Sequence, residues 1–136
     1  MKKFIKIILF LIVVLLVAYF VVLNLPKSSV KNKDADFKLS ATELYNAFEA
    51  NEKKSNKLYI GKTVEVKGKF LTQNKDNQGA TVVIMDGGGS LGGVLCTLEQ
   101  GQESKLSEIK QGDEITIKGM CTGLLMDVVL NKCVIQ

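Results

Sequence analysis

An uncharged apolar run near the amino terminus limits how this chain can fold. The run covers residues 7–23, which is 17 residues, and it follows a cluster of three lysines at positions 2, 3 and 6. As a helix it is roughly 25 Å long, and apolar neighbours at its margins bring it close to the roughly 30 Å of a bilayer core. If it lies in a membrane, about 113 of the 136 residues at most remain for folding, which is enough for one domain and not two.

The run predicts an uncleaved signal-anchor, a single transmembrane helix over residues 1–25. A secretory signal peptide ends in small residues at its cleavage site, whereas this run ends in the letters AYFVVL, which lack that pattern. Cleavage after the run is the alternative. Lysines flank the run on both sides, but the cluster before it is tighter and lies beside the amino terminus. We therefore expect a single-pass protein of the bacterial inner (cytoplasmic) membrane whose domain faces the periplasm or the exterior.

The segment after the anchor, residues 26–39, has the composition of a linker. It contains the only proline of the chain, with lysines, serines and aspartates and few large apolar residues besides Val30 and Phe37. The pattern changes at Ser40, because the letters SATE have the form of a capping box, which predicts the start of a helix. Apolar residues recur at helical spacing from there, so we expect one helix that runs to about Asn56.

From Gly61 the apolar residues recur with a period of two, which predicts β-strands. Five such segments follow, and they begin near Thr63, Ala80, Leu91, Gly112 and Asp127. Residues 100–110 suit a short helix between the third and the fourth strand. Five strands with a helix at this place are the element order of an OB-fold barrel. We therefore predict a mainly β domain over residues 40–136, a five-stranded OB-fold barrel with an N-terminal α-helix.

Three segments resemble a known family. They read YIGKTVEVKG from Tyr59, GDEITIKGMCTG from Gly112, and DVVLNKCVI from Asp127. Together they look like the tRNA_anti-like family of bacterial OB-fold proteins, over the whole predicted domain. The resemblance implies the fold and an exported or lipid-anchored protein, but it brings no agreed catalytic or binding residues. Unlike the lipoprotein members, this chain has no cysteine before Cys96 to carry a lipid, so its anchor would be the helix itself.

Missing residue types exclude much chemistry. The sequence has no histidine, tryptophan or arginine, so it cannot build a Ser-His dyad, a His-ligated metal or haem site, or an arginine clamp on phosphate. The letters GGGSLG from Gly87 fit a dinucleotide-binding motif, but a strand and not a helix follows them, so we interpret them as a turn. The aspartates lie in predicted turns, where solvated carboxylates are usual. We expect no catalytic site, no metal and no cofactor, and so not an enzyme.

The three cysteines suggest a disulfide in an exported domain. Cys121 and Cys133 lie on consecutive predicted strands, and we favour a bond between them. Two alternatives stay open: a bond between Cys96 and Cys133, and three buried free thiols.

The loop between the last two predicted strands is apolar, with Leu124, Leu125 and Met126 in sequence. It would either close over the barrel end or present a contact patch to a partner or the membrane. Nucleic acid is not the expected partner, because residues 62–136 hold 8 lysines against 9 acidic residues. We expect a membrane-tethered envelope module that binds a protein or small ligand. An oligonucleotide-binding or tRNA-type domain is the alternative.

Overall fold

The computed structural model describes residues 2–23, 29–89 and 92–136, with side chains in the first helix described for residues 6–21. The elements are α1 (Lys2–Leu23), β1 (Phe37–Ser40), α2 (Ala41–Ala50), α3 (Glu52–Tyr59), β2 (Thr63–Lys75), β3 (Thr81–Asp86), β4 (Gly93–Leu98), a 3-10 helix (Glu103–Leu106), β5 (Glu114–Leu124) and β6 (Val128–Ile135).

Strands β2 to β6 close into a five-stranded barrel. Their order is β2-β3-β4-β6-β5, and β2 also pairs with β5, which closes the sheet on itself. Strands β4 and β6 run parallel, and the other barrel pairs run antiparallel. The 3-10 helix lies between the third and fourth barrel strands. The mainly β OB-fold barrel predicted from the sequence is confirmed.

Helices close the two ends of the barrel. Leu44 and Phe48 of α2 are fully buried with the inward side chains of the strands. Leu106 of the 3-10 helix is buried at the other end, where the Lys105 ammonium donates a hydrogen bond to the Ile135 carbonyl at 2.6 Å. We call the end covered by α2 the upper end and the end with the 3-10 helix the lower end.

The single helix predicted to run to about Asn56 is divided in the structure at Asn51. The capping box at its start is confirmed, since Ser40 Oγ accepts from the Glu43 amide at 3.1 Å and the Glu43 carboxylate accepts from the Ser40 amide at 2.8 Å. Asn51 then ends α2 and begins α3, because its side-chain oxygen accepts from the Lys54 amide at 2.9 Å. Asparagine is a preferred N-cap, and here it starts a second helix.

Part of the predicted linker is attached to the barrel. Residues 29–36, which we call the strap, cross the outside of β6 and β5. Val30 is 4% exposed, and the buried Lys118 ammonium donates to the Lys31 carbonyl at 3.2 Å. The Asp36 carboxylate accepts from the Thr63 amide at 2.8 Å, and the Asp36 amide donates to the Thr63 carbonyl.

Strand β1 continues the strap and pairs parallel to β2, with Phe37 opposite Val64. The Phe37 ring meets the Tyr59 ring edge-on, with 5.0 Å between the ring centroids. The polar composition of residues 26–39 suggested a free linker. The large apolar residues within it, Val30, Phe37 and Leu39, are the ones that dock it.

The large apolar side chains of α1 between Ile7 and Val21 are 47–69% exposed. Among the residues whose side chains are described, no helix is both long enough and apolar enough to cross a membrane. The membrane anchor therefore stays a prediction.

Candidate ligand-binding surface

The outer surface of the barrel carries an apolar patch across three strands. Its four members are half-buried, and each lies between two buried neighbours along its strand, so each points away from the interior. They are Val82 and Ile84 of β3, Leu95 of β4 and Val129 of β6, and we call them the outer patch. Ile84 pairs with Leu95, and Leu95 pairs with Val129, in one row across the sheet. At about 4.8 Å between strands, this row is roughly 10 Å wide.

The polarity of this surface distinguishes it from a nucleic-acid site. The outward positions of β3 and β4 hold Val82, Ile84, Asp86, Leu95 and Thr97. None of these is aromatic or cationic. On the adjoining strand, Thr72 pairs with Ile84 and Asn74 pairs with Val82. The nearby Lys75 ammonium donates to the Thr81 hydroxyl at 2.6 Å. In OB folds the surface of the second and third barrel strands binds oligonucleotides and oligosaccharides. Here that surface offers aliphatic and neutral polar groups and one carboxylate, that of Asp86.

The sequence reasoning missed the outer patch, although the sequence contains a signal for it. A strand with one solvated face alternates apolar and polar residues, whereas a run of apolar residues indicates burial on both faces. Such runs occur at residues 82–85, 94–96 and 128–130. All three lie in neighbouring barrel strands, so their outward apolar members meet in one patch.

The predicted contact loop connects β5 and β6. Leu124 is partly buried and packs against the core. Leu125 and Met126 are 85% and 80% exposed, at the upper end of the barrel. The turn is held by the Leu125 amide, which donates to the Asp127 carbonyl at 3.0 Å. Only the first of the three residues helps to cover the barrel end, and the other two face solvent.

The glycine-rich segment between β3 and β4 packs against α2. A side chain at Gly87 would lie 3.0 Å from the ring of Tyr45, and one at Gly92 would lie 2.7 Å from the Tyr45 hydroxyl. Glycine is needed here because the backbone passes so close to the ring. Residues 90 and 91 of the motif lie outside the described residues. Desolvation, and then the hydrogen bond that the hydroxyl donates to Glu49 at 3.0 Å, raise the pKa of Tyr45.

The aspartates in turns accept backbone hydrogen bonds. Asp76 accepts from the amides of two residues in its own turn, and Asp86 accepts from the Gly88 amide at 2.8 Å. Asp127 accepts from the Gly93 amide at 2.7 Å and so joins two loops at the upper end. These carboxylates shape turns. In the described part of the chain, no three Asp, Glu or Cys residues are placed to hold a metal ion.

A groove of about 580 Å³ lies beside the start of β5, lined by the isoleucines at 109, 115 and 135 and by Glu65 and Glu114. Both glutamates are paired: Glu65 lies 3.3 Å from the Lys38 ammonium, and Glu114 lies 2.8 Å from the Lys67 ammonium. The Lys67–Glu114 pair is exposed and the Lys38–Glu65 pair is partly exposed, so both contribute little to stability. The groove brings no unpaired acid and base together.

The predicted Cys121–Cys133 disulfide is not formed in this structure, where all three cysteines are free and buried. Cys121 pairs with Leu130, three residues before Cys133. The register shifts at this point, where Lys132 has a φ of 54°, so that Cys133 comes to lie against Gly119. The Cα atoms of Cys121 and Cys133 are displaced by about two residues along the strand and by one strand across the sheet. They therefore lie about 8 Å apart, which is beyond the reach of a disulfide.

Cys133 is instead a neighbour of Cys96. Its thiol donates to the Leu130 carbonyl at 3.3 Å. Complete burial, and then the adjacent Cys96 thiol, raise the pKa of Cys133 well above its usual value. Burial also raises the pKa of Cys121. Because the thiolate is the reactive form, these cysteines are suited to packing and not to nucleophilic chemistry.

The family model described as tRNA_anti-like matches residues 1–135. The chain belongs to the tRNA_anti-like family. For this tRNA_anti-like protein, no curated protein gives a match.

Two solved structures are similar to it. One is a candidate nucleic acid-binding lipoprotein from Klebsiella pneumoniae subsp. pneumoniae MGH 78578, with a TM-score of 0.61, 19% identity and coverage of 73% of this chain and 90% of that chain. The other is a chain of the yeast Stn1 and Ten1 structure, with a TM-score of 0.48, 12% identity and coverage of 79% and 66%. At such identities, the likeness to the lipoprotein shows the fold alone.

Proposed function

We propose that this protein is a membrane-tethered binding module of the bacterial envelope, whose outer patch binds an apolar segment of a protein. The observation that supports this most is the composition of the barrel surface formed by β3, β4 and β6. Its centre is a row of three aliphatic side chains, Ile84, Leu95 and Val129. A row roughly 10 Å wide accommodates two or three side chains of a polypeptide. Apolar surface of this kind is typical of protein contact sites.

The tether is the second part of the proposal. Three lysines lie at the start of α1, and the rest of the helix, from Ile7, is uncharged, with large apolar side chains that are about half exposed or more. Exposure of so many aliphatic side chains to water is unfavourable, and a bilayer would cover them. The domain then faces the periplasm or the exterior, by the charge rule applied to the amino-terminal lysines.

An oligonucleotide is the second candidate ligand, because the similar lipoprotein is described as a candidate nucleic acid-binding protein. Single-strand binding by OB folds uses stacking rings and a cationic groove. The outward positions of β3 and β4 supply neither. We therefore rank a polypeptide ligand first.

A photo-crosslinking experiment distinguishes the two ligands. The full chain is expressed in bacterial cells with benzoylphenylalanine at Ile84, or at the exposed position Lys69 of β2 as the matched control. We expect a discrete adduct from position 84 alone, which protease digests and nuclease does not. A second variant, Leu95→Glu, should abolish this adduct, since Leu95 lies directly opposite Ile84. A nuclease-sensitive adduct, or equal adducts from both positions, would overturn the proposal.

A further inference from the structure

A second apolar surface, more exposed than the outer patch and separate from it, lies at the upper end of the barrel. It consists of Leu125 and Met126 in the β5–β6 turn and Ile60 at the end of α3, and we call it the tip. Ile60 is 46% exposed, and its side chain lies over Gly123, about 3.4 Å from where a Cβ atom would be. Gly123 lies two residues before Leu125, the first residue of the turn. The Ile60 side chain therefore lies beside the end of β5, from which Leu125 and Met126 follow.

Lysines border the tip on the side of α3, and the acidic residue of the β5–β6 turn, Asp127, accepts a hydrogen bond from the Gly93 amide. Lys53, Lys57 and Ile60 follow one another at spacings of four and three, so they share one face of α3. Lys62 lies just beyond Ile60, where its carbonyl accepts from the Cys121 amide at 3.0 Å. All three lysines are exposed. The acidic residue of α3 is Glu52, against three lysines in that helix.

We propose that the tip is a lipid-binding surface that inserts into an anionic membrane and holds the barrel against the bilayer. Apolar side chains exposed at a turn and at the end of the adjacent helix, with lysines on that helix, match the two components of peripheral membrane binding: apolar insertion, and attraction to anionic headgroups. The proposal rests on the tether proposed above, which keeps the membrane nearby.

The point at which the strap is attached to the barrel allows the tip to reach the membrane that holds α1. Ser29 is fixed to the domain, because its hydroxyl donates to the Glu99 carboxylate at 2.7 Å just after β4. The six Cα–Cα steps from Leu23 to Ser29 span at most about 21 Å. Strand β4, six residues long, separates Glu99 from the upper end by about 20 Å. The chain is therefore long enough for the tip to reach the bilayer from which α1 emerges.

The test uses tryptophan fluorescence, because the chain contains no tryptophan. Full-length Met126→Trp is reconstituted into vesicles of phosphatidylethanolamine with phosphatidylglycerol, with or without brominated acyl chains. Leu71→Trp is the matched control, since Leu71 is exposed beside Gly112 at the far end of β5. We expect the fluorescence of the tryptophan at position 126 to shift to the blue in both kinds of vesicle, and to be largely quenched in those with brominated acyl chains. The residue at 71 should show neither change.

A charge-reversed variant tests the lysines. Lys57→Glu with Lys62→Glu, in the Met126→Trp background, should lose the blue shift, whereas Lys69→Glu with Lys110→Glu should keep it. Vesicle flotation separates failure of the tip from failure of the tether. If the protein floats with the vesicles but the residue at 126 stays unshifted and unquenched, the tip proposal is wrong. If the protein does not float, the tether is wrong, and the tip proposal that rests on it falls too.

Discussion

The contact between Gly119 and Cys133 gives a sharp prediction about the barrel core. A Cβ atom at Gly119 would overlap the Cys133 sulfur, and it would lie 3.2 Å from Leu130 Cβ and 3.3 Å from the Asn131 carbonyl. Because Cys133 is fully buried, its side chain has nowhere to move. Overpacking of this kind costs about 1–3 kcal/mol, and we expect Gly119→Ala to fall in the upper half of that range.

Removal of the sulfur should relieve part of this cost. Cys133→Ala alone loses buried contacts and should destabilise the domain by about 1 kcal/mol. The double variant should be more stable than the sum of the two single effects by about 1–2 kcal/mol, since the overlap with the sulfur no longer exists. The remaining cost reflects the close approach to Leu130 and Asn131.

Urea unfolding of the full chain in detergent, followed by tyrosine fluorescence, measures these free energies, because Tyr45 and Tyr59 are buried. Gly89→Ala is the matched control, since its Cβ atom would have only a 3.9 Å contact. Strictly additive costs in the double variant, or a Gly119→Ala cost no larger than that of the control, would refute the packing described here.

Three further predictions follow from the caps, the thiols and the strap. Ser40→Ala should raise the pKa of Glu43 toward its ordinary value in an NMR titration, because hydrogen bonds from the Ser40 amide and hydroxyl lower this pKa. In the unchanged protein, the stabilisation by Glu43 is present at pH values above the ordinary pKa and is lost as the pH falls through the lowered pKa. The three thiols should resist alkylation in the native protein and all react in unreduced denaturant, and a disulfide-linked peptide pair in a non-reducing map would contradict this. Val30→Ala should cost about 1.5 kcal/mol in the same urea assay, because it removes a buried part of the strap, whereas a free linker would show no change.

The sequence predicts local structure well where one physical preference dominates. The alternation from Thr63 predicted β2, and the capping box at Ser40 predicted the start of α2, because both patterns act over a few residues. The end of β2 is harder to predict, because residues 73–75 are polar and have the composition of a turn, yet they pair with β3. Pairing across the sheet outweighs the turn preference of these residues.

Features that depend on distant contacts could not be predicted in this way. The strap was interpreted as a linker because its polar composition hides the docking of Val30 and the hydrogen bonds of Asp36 to Thr63. The register shift near Lys132 moves Cys133 away from Cys121, and no local pattern reveals such a shift. The outer patch depends on which strands are neighbours, so its members become a surface only in the closed barrel.

We propose that the barrel surface formed by β3, β4 and β6 binds a polypeptide and not nucleic acid. Fluorescence anisotropy of labelled single-stranded DNA and RNA, titrated with the full chain in detergent at about physiological salt, tests it most directly. We predict weak and salt-sensitive binding, with dissociation constants no tighter than about 10⁻⁴ to 10⁻⁶ M, and no change on Leu95→Glu. Submicromolar binding that this substitution abolishes would contradict the claim.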